Sequence, residues 1–266
     1  MKYGFIGAGN MGGAILRRAL SSGVIAKEDA LVFGVNIEKL TRTGYELGVD
    51  TYTDVSSIVD DSDIILFGFK PQMFDDVMPE VKKSYIPSKV IISMAAGISI
   101  AYLEDHLGKD AKIIRIMPNT PAFLGCGMIS VSRNGNVTDE ELAQVVTLFE
   151  STGKVEVVDE ELIHAVIGAS GSSPAFTYMY IDALAKEAAA NGINPDQALV
   201  FAAQAVLGAA RMVLETGETP EQLRINVCSP GGTTIEGVNK LNELNFEEIV
   251  RAGARASIEK SKSWTK

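Results

Sequence analysis

Two glycine-rich stretches stand at opposite ends of this chain, and each has the composition of a seat for an anion. Near the C-terminus runs Ser229-Pro230-Gly231-Gly232-Thr233-Thr234. Ser229 is a preferred N-cap, and Pro230 suits a first helical position, where its missing N–H is not missed. Two glycines in a first turn cost about 1 kcal/mol each relative to alanine. They make sense where a ligand must approach the backbone, because first-turn N–H groups are unpaired and carry the positive end of the helix dipole. A small carboxylate or phosphate fits there. An ordinary Pro-Gly turn explains an isolated copy of this stretch equally well.

The second stretch is Gly7-Ala8-Gly9-Asn10-Met11-Gly12, after the apolar run Tyr3–Ile6 and before a helical pattern through Met11, Ala14, Ile15 and Leu16. Strand, GxGxxG and helix in that order form a dinucleotide fingerprint. Gly7 makes the tight turn, Gly9 lets the pyrophosphate approach, and Gly12 lets helix and strand pack closely.

Such a fingerprint needs a doubly wound sheet behind it. Ala30–Val35, Asp63–Gly68, Val90–Met94 and Lys112–Met117 are short runs rich in Val and Ile, separated by helical stretches. They read as parallel strands buried on both faces. Ligands of such sheets bind at the carboxyl ends of the strands. Lys70-Pro71-Gln72, Ala95-Ala96-Gly97 and Pro118-Asn119-Thr120-Pro121 follow the fourth, fifth and sixth strands, so all three turns are expected to face one crevice. Turn punctuation explains each alone.

Where NAD-binding domains place Asp or Glu after the second strand, this chain has Asn36, with Lys39 and Arg42 on the next helix. A neutral residue beside two cations favours a 2′-phosphate, hence NADPH, with NADH possible. Glu38 between them works against that preference.

At 266 residues the chain suits one large or two modest domains. A formal net charge of −10 argues against a nucleic-acid-binding surface. Two distant cysteines, Cys126 and Cys228, fit a reducing cytoplasm, with buried apolar thiols the default. No metal-type spacing of Cys or His is present, and His106 and His164 read as helix-surface or locally bonded groups. Hydride transfer, with a hydroxyl or water managing the proton, asks little of such side chains. Gly4–Leu16 imitates a signal peptide, but its glycine spacing favours the fingerprint. The charge-free stretch Gln197–Ala210 falls short of the ~18 residues of a spanning helix, so no membrane partner is expected.

After Val155–Val158 the texture becomes helical to about Lys260, which places a domain boundary near Asp159. Pro195–Glu215 is apolar around nearly its whole circumference, with Ala198, Ala202, Ala205 and Ala209 among Phe201, Val206, Met212 and Val213. It should be buried on all sides, which a second copy of the chain accomplishes more easily than a hundred residues alone. The expected architecture is α/β: an N-terminal Rossmann-like dinucleotide-binding domain over residues 1–158, then an all-α dimerisation and substrate-binding domain over 159–266.

Together these stretches resemble the pyrroline-5-carboxylate reductase family along essentially the whole chain. The Gly7–Met11 run is common to many dehydrogenases. Lys70-Pro71-Gln72, Arg115-Ile116-Met117-Pro118-Asn119-Thr120-Pro121, Gly171–Ala175 and Leu223–Thr234 also match, and far the more specific are Met117–Pro121 and Ser229–Thr234. The resemblance implies reduction of 1-pyrroline-5-carboxylate to L-proline by NADPH, the last step of proline biosynthesis, in a cytoplasmic enzyme. It implies an intertwined homodimer through the C-terminal helices, with larger rings of dimers known in the family. Substrate would bind between the cofactor domain of one chain and helices of another. The cofactor set is Gly7, Ala8, Gly9, Asn10, Met11, Gly12, Asn36, Phe69, Lys70, Pro71, Ala95, Ala96, Gly97, Pro118 and Asn119. The substrate carboxylate falls to Ser229, Gly231, Gly232 and Thr233, and Thr234 stands beside the ring nitrogen as the catalytic hydroxyl.

Two departures from the family pattern are Ile225, where an acidic residue is usual, and Ser173, where a second glycine is usual. Both adjoin motif cores. A hydroxy-acid dehydrogenase using Lys70 as proton carrier, or a nucleotide sensor without turnover, are the rival readings.

Overall fold

The computed structural model describes residues 1–264. An eight-stranded sheet forms from β1 (Tyr3–Ile6), β2 (Ala30–Phe33), β3 (Asp50–Tyr52), β4 (Ile64–Phe67), β5 (Val90–Ser93), β6 (Lys112–Met117), β7 (Gly127–Arg133) and β8 (Gly153–Val157). The strand order is β3-β2-β1-β4-β5-β6-β7-β8. The first six strands are parallel in the doubly wound order, with the direction of winding reversing between β1 and β4. β7 departs from the all-parallel expectation: it runs antiparallel to β6, and β8 is parallel to β7.

Helices α1 (Asn10–Ser21), α2 (Ile37–Leu47), α3 (Val55–Asp61), α4 (Phe74–Ser84), α5 (Ile100–Leu107) and α6 (Asp139–Glu150) accompany the sheet. Their starts follow local chemistry. Asn36, Asp54 and Ser99 accept backbone N–H bonds at the starts of α2, α3 and α5, and Thr138 with Glu141 forms a capping box for α6. Two apolar layers result, one on each face of the sheet. Ile15, Leu16, Ile114 and Phe149 belong to one, and Ile58, Phe67, Phe74 and Leu103 to the other.

Beyond the sheet come α7 (Ile163–Val166) with a π-turn over Ile167–Gly171, then α8 (Ser173–Ala190), α9 (Pro195–Thr216), α10 (Pro220–Val227), α11 (Thr233–Glu243) and α12 (Phe246–Lys262). The chain divides into two compact units: one takes Met1–Gly171 and the residues from Ser257 onward, the other Ser172–Ala256. The first unit therefore runs past residue 158 and regains the end of α12. The cause is a polar row on one sheet face. Arg115 lies in register with Ser93 and Ser132, and all three are buried. A row of that kind needs polar cover, and Glu160, His164 and Ser261 belong to it: Glu160 binds Arg115, and His164 binds Ser261.

Within the second unit α8 and α9 pack on one another around Ala185, Ala198 and Ala202. The expected all-round burial of α9 is absent from the single chain. Val200, Phe201 and Leu214 are each more than 60% exposed. At 22 residues, α9 is also long and apolar enough to cross a membrane, longer than the charge-free stretch alone suggests. The cysteines differ from expectation too: Cys126 is exposed and Cys228 half-buried, and both are free.

The ends of β1 and β4 meet α1 through glycines. Gly7 adopts φ +96°, a Cβ on Gly12 would lie 2.5 Å from the Gly7 carbonyl oxygen, and one on Gly68 only 2.2 Å from it. Gly68→Ala should therefore destabilise the protein by roughly 1–3 kcal/mol, the usual range for overpacking. The urea midpoint measures this, and an unchanged midpoint would show that the junction has slack.

Candidate active site

A cavity of about 440 Å³ opens at the carboxyl ends of β1, β2 and β4, where the winding reverses. Gly7, Ala8, Gly9, Asn36, Phe69 and Lys70 line it, six residues of the sequence-based set. The floor is built by the glycine junction. Gly9 differs from its neighbours, because a Cβ there would meet nothing nearer than 3.9 Å. Its lack of a side chain leaves space for a ligand rather than for protein. Helix α1 starts directly above, with Gly9 at its N-cap, no side-chain cap and no acid in its first turn. Its leading N–H groups are thus available to an anion, as a pyrophosphate requires. The residues present fit a dinucleotide.

A second cleft of about 280 Å³ adjoins the loop, lined by Asn10, Arg17, Lys39, Arg42, Thr43 and Phe123 among others. Glu46 reaches Arg17 at 3.2 Å and Arg42 at 3.9 Å, so it is Glu46 rather than Glu38 that draws the cations together. Arg17 was missed from sequence: it lies on α1, and only the fold sets it opposite α2. Asn36 spends its Oδ1 on the N–H of Lys39, capping α2 at 2.9 Å. Phe69 packs at a tilt against buried Phe74, ring centroids 4.6 Å apart, which fixes the wall beside Lys70. Gly68 was also missed. Its signal is a glycine closing a strand beside the fingerprint strand.

The other expected cofactor residues lie outside these two cavities. Met11 and Gly12 form the first turn of α1, and Pro71 opens the short 3-10 turn after Lys70. Ala95, Ala96 and Gly97 follow β5, and Pro118 and Asn119 follow β6. The Asn119 side chain is engaged in the fold: Nδ2 donates to the Ser170 carbonyl at 3.1 Å, and Oδ1 accepts from the Met128 N–H at 2.9 Å. Gly97 adopts φ +79°, and a Cβ there would meet the Trp264 carbonyl oxygen at 2.5 Å.

The second unit carries Ser229 to Thr234 at the start of α11. Here the structure corrects the expected helix start. The N-cap is Gly232, not Ser229, and the helix begins at Thr233. Ser229–Gly232 is a tight turn closed by the Gly232 N–H on the Ser229 carbonyl at 3.0 Å, with Gly231 at φ +68°. Pro followed by a left-handed Gly is type II turn chemistry, so the turn itself accounts for Gly231. No side chain caps α11, and Glu236 is the acid on its first turn. Gly231, Thr233 and Thr234 are exposed, so their backbone stays open to a ligand. Of the two departures, Ser173 is the first residue of α8 and Ile225 an exposed residue of α10.

A doubly wound sheet with a glycine-opened phosphate seat, followed by a helical domain, defines a dinucleotide-dependent oxidoreductase. Residues 160–264 match the pyrroline-5-carboxylate reductase dimerisation family, and residues 2–97 match the family of NADP oxidoreductases described as coenzyme F420-dependent. The pyrroline-5-carboxylate reductase of Escherichia coli (strain K12) is 42% identical over 265 residues, covering 100% of this chain and 98% of the relative. The solved pyrroline-5-carboxylate reductase of Coxiella burnetii superposes with TM-score 0.93 at 30% identity, over 100% of this chain and 98% of its own. That of Plasmodium falciparum, solved with NADP bound, does so with TM-score 0.89 at 29% identity, with the same coverage. The chain belongs to the pyrroline-5-carboxylate reductase family and is an oxidoreductase of that activity, with an NADP-binding domain and a dimerisation domain that makes it a homo-oligomer.

His164 tests the polar cover over the sheet. Desolvation holds its imidazole below the ordinary value, Arg115 and Lys262 add to that, and Glu160 opposes it. The folded protein then takes up this proton at lower pH than the unfolded chain does. Stability should fall as pH drops from about 6.5 through the depressed folded value. His164→Gln should flatten that decline in urea unfolding at successive pH values; an equal slope in the variant would assign the acid sensitivity elsewhere.

Proposed function

We propose that the chain reduces the C=N bond of 1-pyrroline-5-carboxylate to give L-proline, the last step of proline biosynthesis, with NADPH preferred over NADH. The observation that carries this reading is the pair of uncapped helix starts, at Asn10 and at Thr233, each behind glycines that keep the backbone open. The free cysteines suit a reducing cytoplasm.

Bound NADPH supplies the hydride that reduces the imine carbon. Gly7, Ala8, Gly9, Asn10, Met11 and Gly12 hold its pyrophosphate through the loop and the first N–H groups of α1. Asn36, Lys39, Arg42 and Arg17 take the 2′-phosphate. Phe69, Lys70 and Pro71 wall the site, and the turns Ala95–Gly97 and Pro118–Asn119 serve the nicotinamide end. The substrate carboxylate sits on the start of α11 through Ser229, Gly231, Gly232 and Thr233. Because the Gly232 N–H closes the turn, the donors facing the carboxylate come chiefly from Gly231 and the first helical residues. The Thr234 hydroxyl orients the ring nitrogen, by its own hydrogen bond or by holding a water, and the nitrogen carries the proton of the reduced product. Its service is mainly geometric, since hydride transfer depends on alignment.

The unpartnered faces of α8 and α9 supply the homodimer contact. Val200, Phe201 and Leu214 leave water there, so each copy covers what the other exposes.

The test is oxidation of NADPH on adding pyrroline-5-carboxylate, with proline as product. Thr234→Ala should lower kcat/KM roughly ten- to a thousandfold, the scale for loss of one preorganised donor, with NADPH binding unchanged. Full activity in that variant removes Thr234 from the mechanism, and binding without consumption of NADPH favours a sensor. Arg17→Ala or Arg42→Ala should raise KM for NADPH roughly tenfold or more, the scale for a hydrogen bond to a charged group, and leave KM for NADH in place. An equal rise for both cofactors would place the 2′-phosphate elsewhere.

A further inference from the structure

The run Arg115-Ile116-Met117-Pro118 contains a charge that cofactor and substrate do not account for. Arg115 is 2% exposed in the middle of β6, on the sheet face shared with α5. A buried guanidinium is costly unless paired. Its Nη1 donates to Glu160 Oε1 at 2.8 Å, while Nε and Nη2 have no hydrogen-bond partner among the described residues. Among the described residues, Glu160 is the carboxylate that pairs with it.

The same carboxylate oxygen has a second task. Glu160 Oε1 accepts the N–H of Ile100, also at 2.8 Å, across 60 residues of sequence. Ile100 is the first residue of α5, so this N–H is one of the donors a helix leaves unpaired. A carboxylate at that end also meets the positive pole of the helix. The segment between β5 and α5 is then tied at both ends. Ser93 Oγ accepts from the Ala95 N–H at 3.3 Å, and Glu160 holds Ile100. Between the ties lie Ala95, Ala96 and the left-handed Gly97, with Ala95 and Ile98 buried. One oxygen therefore fixes both an arginine in the sheet and the far end of a turn.

We propose that Glu160, itself set by Arg115, is a positioning residue for reduction: it holds the Ala95–Gly97 turn where the nicotinamide end of the cofactor meets it. This rests on the reading of that turn as cofactor-binding. Glu160 touches neither substrate nor cofactor. Its effect passes through the N–H of Ile100 and the start of α5.

Two substitutions separate reach from charge. Glu160→Gln keeps an oxygen at the same distance for both donors and loses the charge that balances Arg115. Glu160→Asp keeps the charge and shortens the arm, so it cannot serve Arg115 and Ile100 together. E160Q should keep most of kcat while losing thermal stability. E160D should be the more stable of the two, yet lose kcat roughly ten- to a hundredfold, the scale for small misplacement of reacting groups. Affinity for adenosine 2′,5′-bisphosphate, which lacks the nicotinamide, should be unchanged in both. The reverse order of kcat, kcat falling in step with stability, or an equal loss of bisphosphate binding overturns the positioning role. Ala96→Val tests the underlying reading separately. If it leaves NADPH kinetics untouched, the turn is not at the cofactor. If it impairs them while E160D does not, the turn reading stands and Glu160 is not what positions it.

Discussion

The governing constraint in this protein is how closely the first turn of α1 approaches the ends of β1 and β4. Gly7, Gly12 and Gly68 meet so tightly that a methyl group on Gly12 or Gly68 would lie within 2.5 Å of the Gly7 carbonyl oxygen. That contact sets the start of α1 at the crossover point of the sheet, beside the cavity lined by Gly7, Ala8 and Gly9. The leading N–H groups are left unpaired because no side chain caps them. Gly9, the neighbouring glycine with open space, keeps the path to them clear. Close packing on one side and emptiness on the other leave a helix start open to an anion.

Much of this was legible in the sequence because each feature is local. The fingerprint spells its own turn, and the strands from Tyr3, Ala30, Ile64, Val90 and Lys112 are short apolar runs buried on both faces. What escaped depends on residues brought together from afar. Gly68 gains its meaning from Gly7, and Arg17 from Arg42 through Glu46. β7 is a mixed apolar and serine run, GMISVSR, whose serines lie on the face of Arg115, so its pattern does not announce an inner strand. The dimerisation-family match begins at residue 160, beside the boundary expected near 158, while the first compact unit runs on to Gly171 through the cover that Glu160 and His164 give that row. At Ser229–Thr234 the residue types predict a helix cap at Ser229, but the left-handed Gly231 makes a turn and delays the helix to Thr233.

The helical unit is governed by a different need. A single chain packs α8 on α9 through alanines and leaves the larger apolar side chains in water. Small residues set the close helix contact, and large ones stay exposed. Residues 160–264 match a dimerisation family, whereas α9 by length and composition alone also passes for a membrane span. In the homodimer proposed above, fold stability and assembly are linked, and protomer concentration enters any stability measurement.

The most direct test of the seat at the crossover point is a crystal structure of the protein with NADPH. The expected result is the pyrophosphate on the N–H groups that open α1, above Gly9, with the 2′-phosphate between Arg17, Lys39 and Arg42. A cofactor bound away from the Gly7–Gly12 loop, or with its pyrophosphate held by side chains alone, would contradict it.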